Sequence, residues 1–129
     1  MIIVDTSVWV RYLRFPGSDE GRELDNLLQK RQVALAGVML AEILQGARDP
    51  QDFEELGVQL ASLPYVSETK NTWIQVGVLS YQMRQQGRLI PLTDLTVAAL
   101  AMEHGHSLYT LDEHFQRVPG LQLHIAGSA

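Results

Sequence analysis

The chain has no cysteine, which removes disulfides and thiolate metal sites and fits a reducing compartment. No apolar run approaches the roughly 20 residues that crossing a bilayer requires, so no membrane-spanning segment and no membrane partner are expected. The N-terminus carries neither a basic segment nor a small-residue cleavage site, and Met1 is read as the true start of a cytoplasmic protein. Internal repeats, low-complexity tracts and long linkers are missing too, leaving 129 residues that suit a single domain over 1–129. Net positive charge is the last absence. The balance of −5 argues against a broadly basic surface for nucleic acid, although carboxylates gathered around bound cations would count toward that total.

What is there is organised around the first ten residues. Ile2, Ile3 and Val4 form a β-branched run, the pattern of a strand buried on both faces. It ends at Asp5, and Thr6 or Ser7 can cap a helix beginning at Val8. In open parallel sheets ligands bind beyond the carboxyl ends of the strands, where Asp5 would sit. Asp5 is therefore either a cap or part of a site.

Downstream, Arg11 and Arg14 share a face of the first helix, a solvated face or a phosphate-facing pair. Ser18 caps a second helix with a stripe of Leu24, Leu27 and Leu28. Val33–Ala36 reads as a strand, and residues 38–46 as a helix apolar all round except at Glu42 and Gln45. Such a helix is expected to be buried, which leaves Glu42 in need of a cation, a hydrogen-bonding cluster or a cleft. Asp49-Pro50 starts a helix with Phe53, Leu56, Leu60 and Ala61 at helical spacing, and 65–66 is a scrap of strand. A long helix over about 69–86 places Trp73, Val76, Leu79 and Met83 in the core. Asp94 is expected to open a helix over 95–104, where capping is its plain structural explanation. Strands are predicted at 107–110 and 121–125, with Asp112 in the turn between them and a frayed end at 127–129. His104 and His106 flank a turn, and His114 and His124 are isolated; all four are read as surface or packing residues without zinc spacing. Only His114 falls near the acids.

Alternating short strands and longer helices predict an α/β domain, with a mainly parallel sheet of four to five strands in a three-layer α/β/α sandwich. Asp5 and Asp112 then follow strand ends, while Glu42 and Asp94 lie on helices leaving the same side. Convergence of these acids would be unstable without a counter-ion, and carboxylate oxygens select hard cations such as Mg²⁺ or Mn²⁺. A cation there can hold and polarise a phosphodiester.

At these positions the chain resembles PIN-domain ribonucleases, in particular the toxins of VapC-type toxin–antitoxin modules. The matching segments are Ile3-Val4-Asp5-Thr6-Ser7, Glu42 within its apolar helix, Asp94–Ala99 and Thr110–Phe115, in order along essentially the whole chain. The resemblance implies metal ligation by Asp5, Glu42, Asp94 and Asp112. Asp5 and Asp94 would bind directly, Asp112 directly or through water, and Glu42 would hold a water or help activate the nucleophile. Ser7 and Thr110 match hydroxyls that support the carboxylates. It also implies a Mg²⁺- or Mn²⁺-dependent endoribonuclease, a homodimer and a cognate antitoxin whose helix lies in an apolar groove. Arg11, Arg14 and Arg88 are candidates for RNA phosphates. Two rival readings remain, a PIN-like module that binds RNA or a partner without cutting and a receiver-like phosphoacceptor domain. The second lacks the lysine past the final strands and the paired acids after the first.

Overall fold

The computed structural model describes residues 1–127. The elements run β1 (Ile2–Val4), α1 (Thr6–Arg14), α2 (Asp19–Gln29), β2 (Val33–Ala36), α3 (Gly37–Gln45), α4 (Pro50–Ala61), β3 (Tyr65–Val66), α5 (Lys70–Gln85), α6 (Leu92–Glu103) and β4 (Ser107–Tyr109). A 3₁₀ turn at Glu113–Arg117 follows. The strands form a four-stranded sheet in the order β3-β2-β1-β4. Every pairing is parallel, with Ile2 opposite Val33 on one side of β1 and Val4 opposite Tyr109 on the other. All four strands therefore end at one edge of the sheet, and the residues after β1 and β4 are neighbours.

Helices cover both faces, as the burial of all four β2 residues requires. α6 supplies the densest packing, with every residue from Leu95 to Ala101 buried. Trp9 and Phe115, each 1% exposed, plug the core beside α1 and the 3₁₀ turn. Ser18 caps α2 through the Gly21 N–H, and Asp49 caps α4 with Pro50 at its first position.

Several local expectations are corrected. α1 begins at Thr6, two residues earlier than Val8, because Asp5 itself occupies the capping position. α6 begins at Leu92 after Pro91, which puts Asp94 inside its first turn. α3 is not buried all round. Only Met39 and Ile43 are fully covered, because α3 packs against α1, α4 and β2 and leaves its Ala41–Glu42 side open. Trp73 is 54% exposed instead of lying in the core. On α5 the inward position belongs to Thr72, whose hydroxyl donates to Glu103 on α6 at 2.7 Å and completes a capping box with Thr69. One residue further round, Trp73 points away. The strand expected over 121–125 is reduced to a single parallel bridge between Leu108 and Leu123. Of the frayed end, Gly127 donates its N–H to Glu23, and residues 128–129 lie outside the described part. No helix is long and apolar enough to cross a membrane.

Candidate metal centre

The site grows from the parallel pairing of β1 with β4. The Asp5 N–H extends that ladder by donating to the Tyr109 carbonyl at 2.8 Å, which brings Asp5 beside Thr110. Asp5 Oδ2 accepts from both Ser7 Oγ and Thr110 Oγ1, each at 2.8 Å. The same hydroxyls accept in turn from the loop after β4: the Leu111 N–H reaches Ser7 at 3.1 Å and the Asp112 N–H reaches Thr110 at 3.0 Å. Asp5 sits at the helix start but makes no side-chain cap, because the two hydroxyls claim its carboxylate. Ser7 and Thr110 thus lock Asp5 and the Asp112 loop into one hydrogen-bonded unit.

Glu42 arrives from α3. Its Oε1 accepts from Thr6 Oγ1 at 3.0 Å, so the first residue of α1 ties it to the corner that holds Asp5. The sequence reading treats Thr6 only as a possible cap and misses this role, for which its place between Asp5 and Ser7 is the available signal. Glu42 is exposed, so it needs no buried partner; the open side of α3 provides the cleft instead.

Asp94 comes from the first turn of α6, where it makes no cap hydrogen bond and its capping explanation fails. Its carboxyl titrates above the usual range. Burial is the largest cause, followed by the nearby charges of Asp5, Asp112 and Glu42, while His114 works in the opposite direction. The charges of Asp5, Glu42 and Asp112, which follow β1, sit on α3 and follow β4, are thus all felt at Asp94 on α6, although the tight group of ligand-capable atoms takes in only Asp112 of the three. The donor chemistry, carboxylate oxygens steadied by hydroxyls, fits a hard divalent cation. Among the described residues, ligand-capable atoms of Asp94, Asp112 and His114 all lie within 4.8 Å of one another.

The shift on Asp94 carries a stability consequence with a definite sign. Its unfolded value is near 3.8 and its folded value is higher, so the metal-free fold loses stability as pH rises through that interval and carries the full penalty above it. Asp94→Asn is expected to raise the melting temperature of the metal-free protein at pH 7. The gain should shrink as pH falls and vanish below pH 3.8, where the parent carboxyl becomes protonated in both states. Calorimetric melts of both proteins across that range, in EDTA wherever EDTA chelates, check it.

The arginines separate. Arg11 reaches toward α2, 3.7 Å from Glu20 and over the Phe15 ring. Arg14 lines a groove of about 420 Å³ with Glu42, and Arg48, which sequence reasoning passed over, lines the same groove. Arg88 is exposed in the α5–α6 connection, and no hydrogen bond or ion pair joins its side chain to the acids among the described residues. His104 and His106 stack on each other and His124 packs edge-on against Tyr109, the surface and packing roles expected.

The sequence profile of the PIN domain matches residues 2–121. The chain belongs to the PIN-domain family. Among curated relatives, this PIN domain is 30% identical to the VapC ribonuclease Mb1587 of Mycobacterium bovis, covering 95% of this chain and 96% of the relative. The crystal structure of VapBC2 from Rickettsia felis, bound to a promoter DNA fragment, matches with a TM-score of 0.81 at 24% identity, covering 96% of this chain and 98% of that one. A toxin–antitoxin complex from Klebsiella pneumoniae matches with a TM-score of 0.73 at 19% identity, covering 94% and 95%. The two structural matches speak to the fold that this PIN domain shares with those chains.

Proposed function

We propose that this chain is a divalent-metal-dependent endoribonuclease, the toxin of a toxin–antitoxin pair, which hydrolyses RNA phosphodiester bonds with Mg²⁺ or Mn²⁺. The observation that carries the reading is geometric. Asp5, tied by Ser7 and Thr110 to the loop that carries Asp112, stands at the sheet edge where Asp94 and Asp112 present ligand-capable atoms within 4.8 Å of each other. Glu42 is joined to the same corner through Thr6, and His114 is the one basic side chain grouped with them among the described residues. The ribonuclease name of its relative supports RNA as the substrate.

In this reading Asp5, Asp94 and Asp112 would hold the ion, with Glu42 completing the set. The ion, when bound, neutralises charge on the phosphate and makes a nearby water more acidic. Ser7 and Thr110 fix the Asp5 carboxylate by donating to it, and their acceptor lone pairs order the loop that carries Asp112. Thr6 engages one oxygen of Glu42, leaving the other without a protein hydrogen bond among the described residues and able to accept the proton of the attacking water. Water adds to phosphorus, a ribose oxygen leaves with the bonding pair, and two RNA ends result. Arg14 offers charge for flanking phosphates along its groove, where Arg48 is paired with Asp52 at 3.5 Å.

The toxin–antitoxin structures among its fold relatives support a cognate antitoxin as partner, and the family resemblance supports a homodimer. Residues 1–129 would act as one cytoplasmic domain. Cleavage mapping on total RNA tests the proposal: discrete cuts are expected with Mg²⁺ or Mn²⁺, and none in EDTA. Cutting that persists undiminished in EDTA would refute it.

A further inference from the structure

We infer that His114 is a nitrogen ligand of the cation held by this cluster, and that it tilts the site toward Mn²⁺ over Mg²⁺. The inference rests on the metal-dependent reading above and adds to it the one donor of the group that is not an oxygen.

Asp94, Asp112 and His114 each present a ligand-capable atom within 4.8 Å of the others. Around one octahedral ion with bonds of about 2.1–2.2 Å, adjacent donors stand about 3 Å apart and opposite donors about 4.3 Å. His114 Nδ1 and Asp112 Oδ1 are 3.1 Å apart, an ion pair when the ring is protonated and, for the neutral ring, the spacing of two adjacent donors on one ion.

The arrangement has a local cause. Asp112 precedes the 3₁₀ turn and caps it, its Oδ1 accepting the His114 backbone N–H at 2.9 Å. That cap bends the chain so that the imidazole returns over the carboxylate that caps it. Phe115, the next residue, is buried and pins the turn to the core. The ring itself is 55% exposed, so it is placed by the turn and the cleft and not by packing.

Carboxylate and water oxygens suit Mg²⁺, whereas an imidazole nitrogen suits transition ions far better. Oxygen donors alone would serve either ion; one nitrogen among them gives Mn²⁺ the advantage.

The test uses Mn²⁺ alone, added to the full chain after removal of any affinity tag, and reads electron spin-echo envelope modulation. The parent protein is expected to show ¹⁴N modulation from a directly bound imidazole. His114→Gln, at an exposed position and checked by circular dichroism, should still bind Mn²⁺ without that modulation. Its Mn²⁺ affinity should fall about tenfold by calorimetry, with Mg²⁺ affinity changed by less than about threefold. Bound Mn²⁺ with no ¹⁴N coupling, or coupling that persists in His114→Gln, overturns the ligation. Equal losses for both ions overturn the selectivity. Failure of the parent to bind Mn²⁺ at millimolar concentration overturns the metal-centre reading itself, and is distinguishable because no spin signal of a bound ion is seen.

Discussion

Asp5→Asn is expected to lower RNA cleavage at least about a hundredfold, which is about 2.7 kcal/mol of lost transition-state stabilisation. The substitution should leave the fold intact. An amide oxygen at this position can still accept from Ser7 and Thr110, so the hydrogen bonds that join β1, α1 and the loop after β4 are retained. What disappears is one negative charge at the point where the acids meet. The parent is expected to melt higher when Mg²⁺ is added, since an ion that binds only the folded state stabilises by RT ln(1 + [ion]/Kd). Asp5→Asn should lose most of that gain along with its activity. Single-turnover cleavage of a mapped RNA site and melts with and without Mg²⁺ supply both readouts. If the variant cleaves within about threefold of the parent, Asp5 does not hold the ion and the proposed chemistry fails at its centre.

How far this was legible beforehand differs from residue to residue. Asp5 and Asp112 were readable because each follows an apolar strand, and only a parallel β1–β4 pairing makes those two ends adjacent. Glu42 was found for a reason that does not survive. Its helix reads as buried all round, yet α3 is covered on one side only, and the cleft that gives Glu42 its interest is that uncovered side. Helical periodicity records which residues are apolar, and cannot record how many neighbours a helix will have. Trp73 fails similarly. A stripe through 73, 76, 79 and 83 and one through 72, 76, 79 and 83 differ by a single position. The hydroxyl bond from Thr72 to Glu103 selects the second. For Asp94 the capping reading was open until Pro91 took the cap; its titration is raised by burial first and by the neighbouring carboxylates after it. Thr6 escaped because its partner Glu42, on α3, is remote in sequence.

Glu42→Gln separates binding the ion from moving the proton. Gln has the same length, and its amide oxygen can still accept from Thr6, so the side chain should remain tied to the α1 corner. It cannot take a proton from water. The rate of the chemical step is therefore expected to fall about 10²–10⁴-fold, the usual contribution of a positioned base, while KM for RNA changes by less than about threefold. Mg²⁺ affinity should fall far less than in Asp5→Asn, because Glu42 is exposed and stands outside the group of ligand-capable atoms around Asp94. Thr6→Val gives the companion measurement. It leaves the carboxylate in place but removes the hydroxyl that orients it, so a loss of about tenfold in the same step is expected, with Mg²⁺ affinity unchanged. The two variants together should be no worse than Glu42→Gln alone, since Thr6 acts through Glu42. A Glu42→Gln enzyme whose defect is rescued by raising Mg²⁺ would instead make Glu42 a ligand with no role in proton transfer.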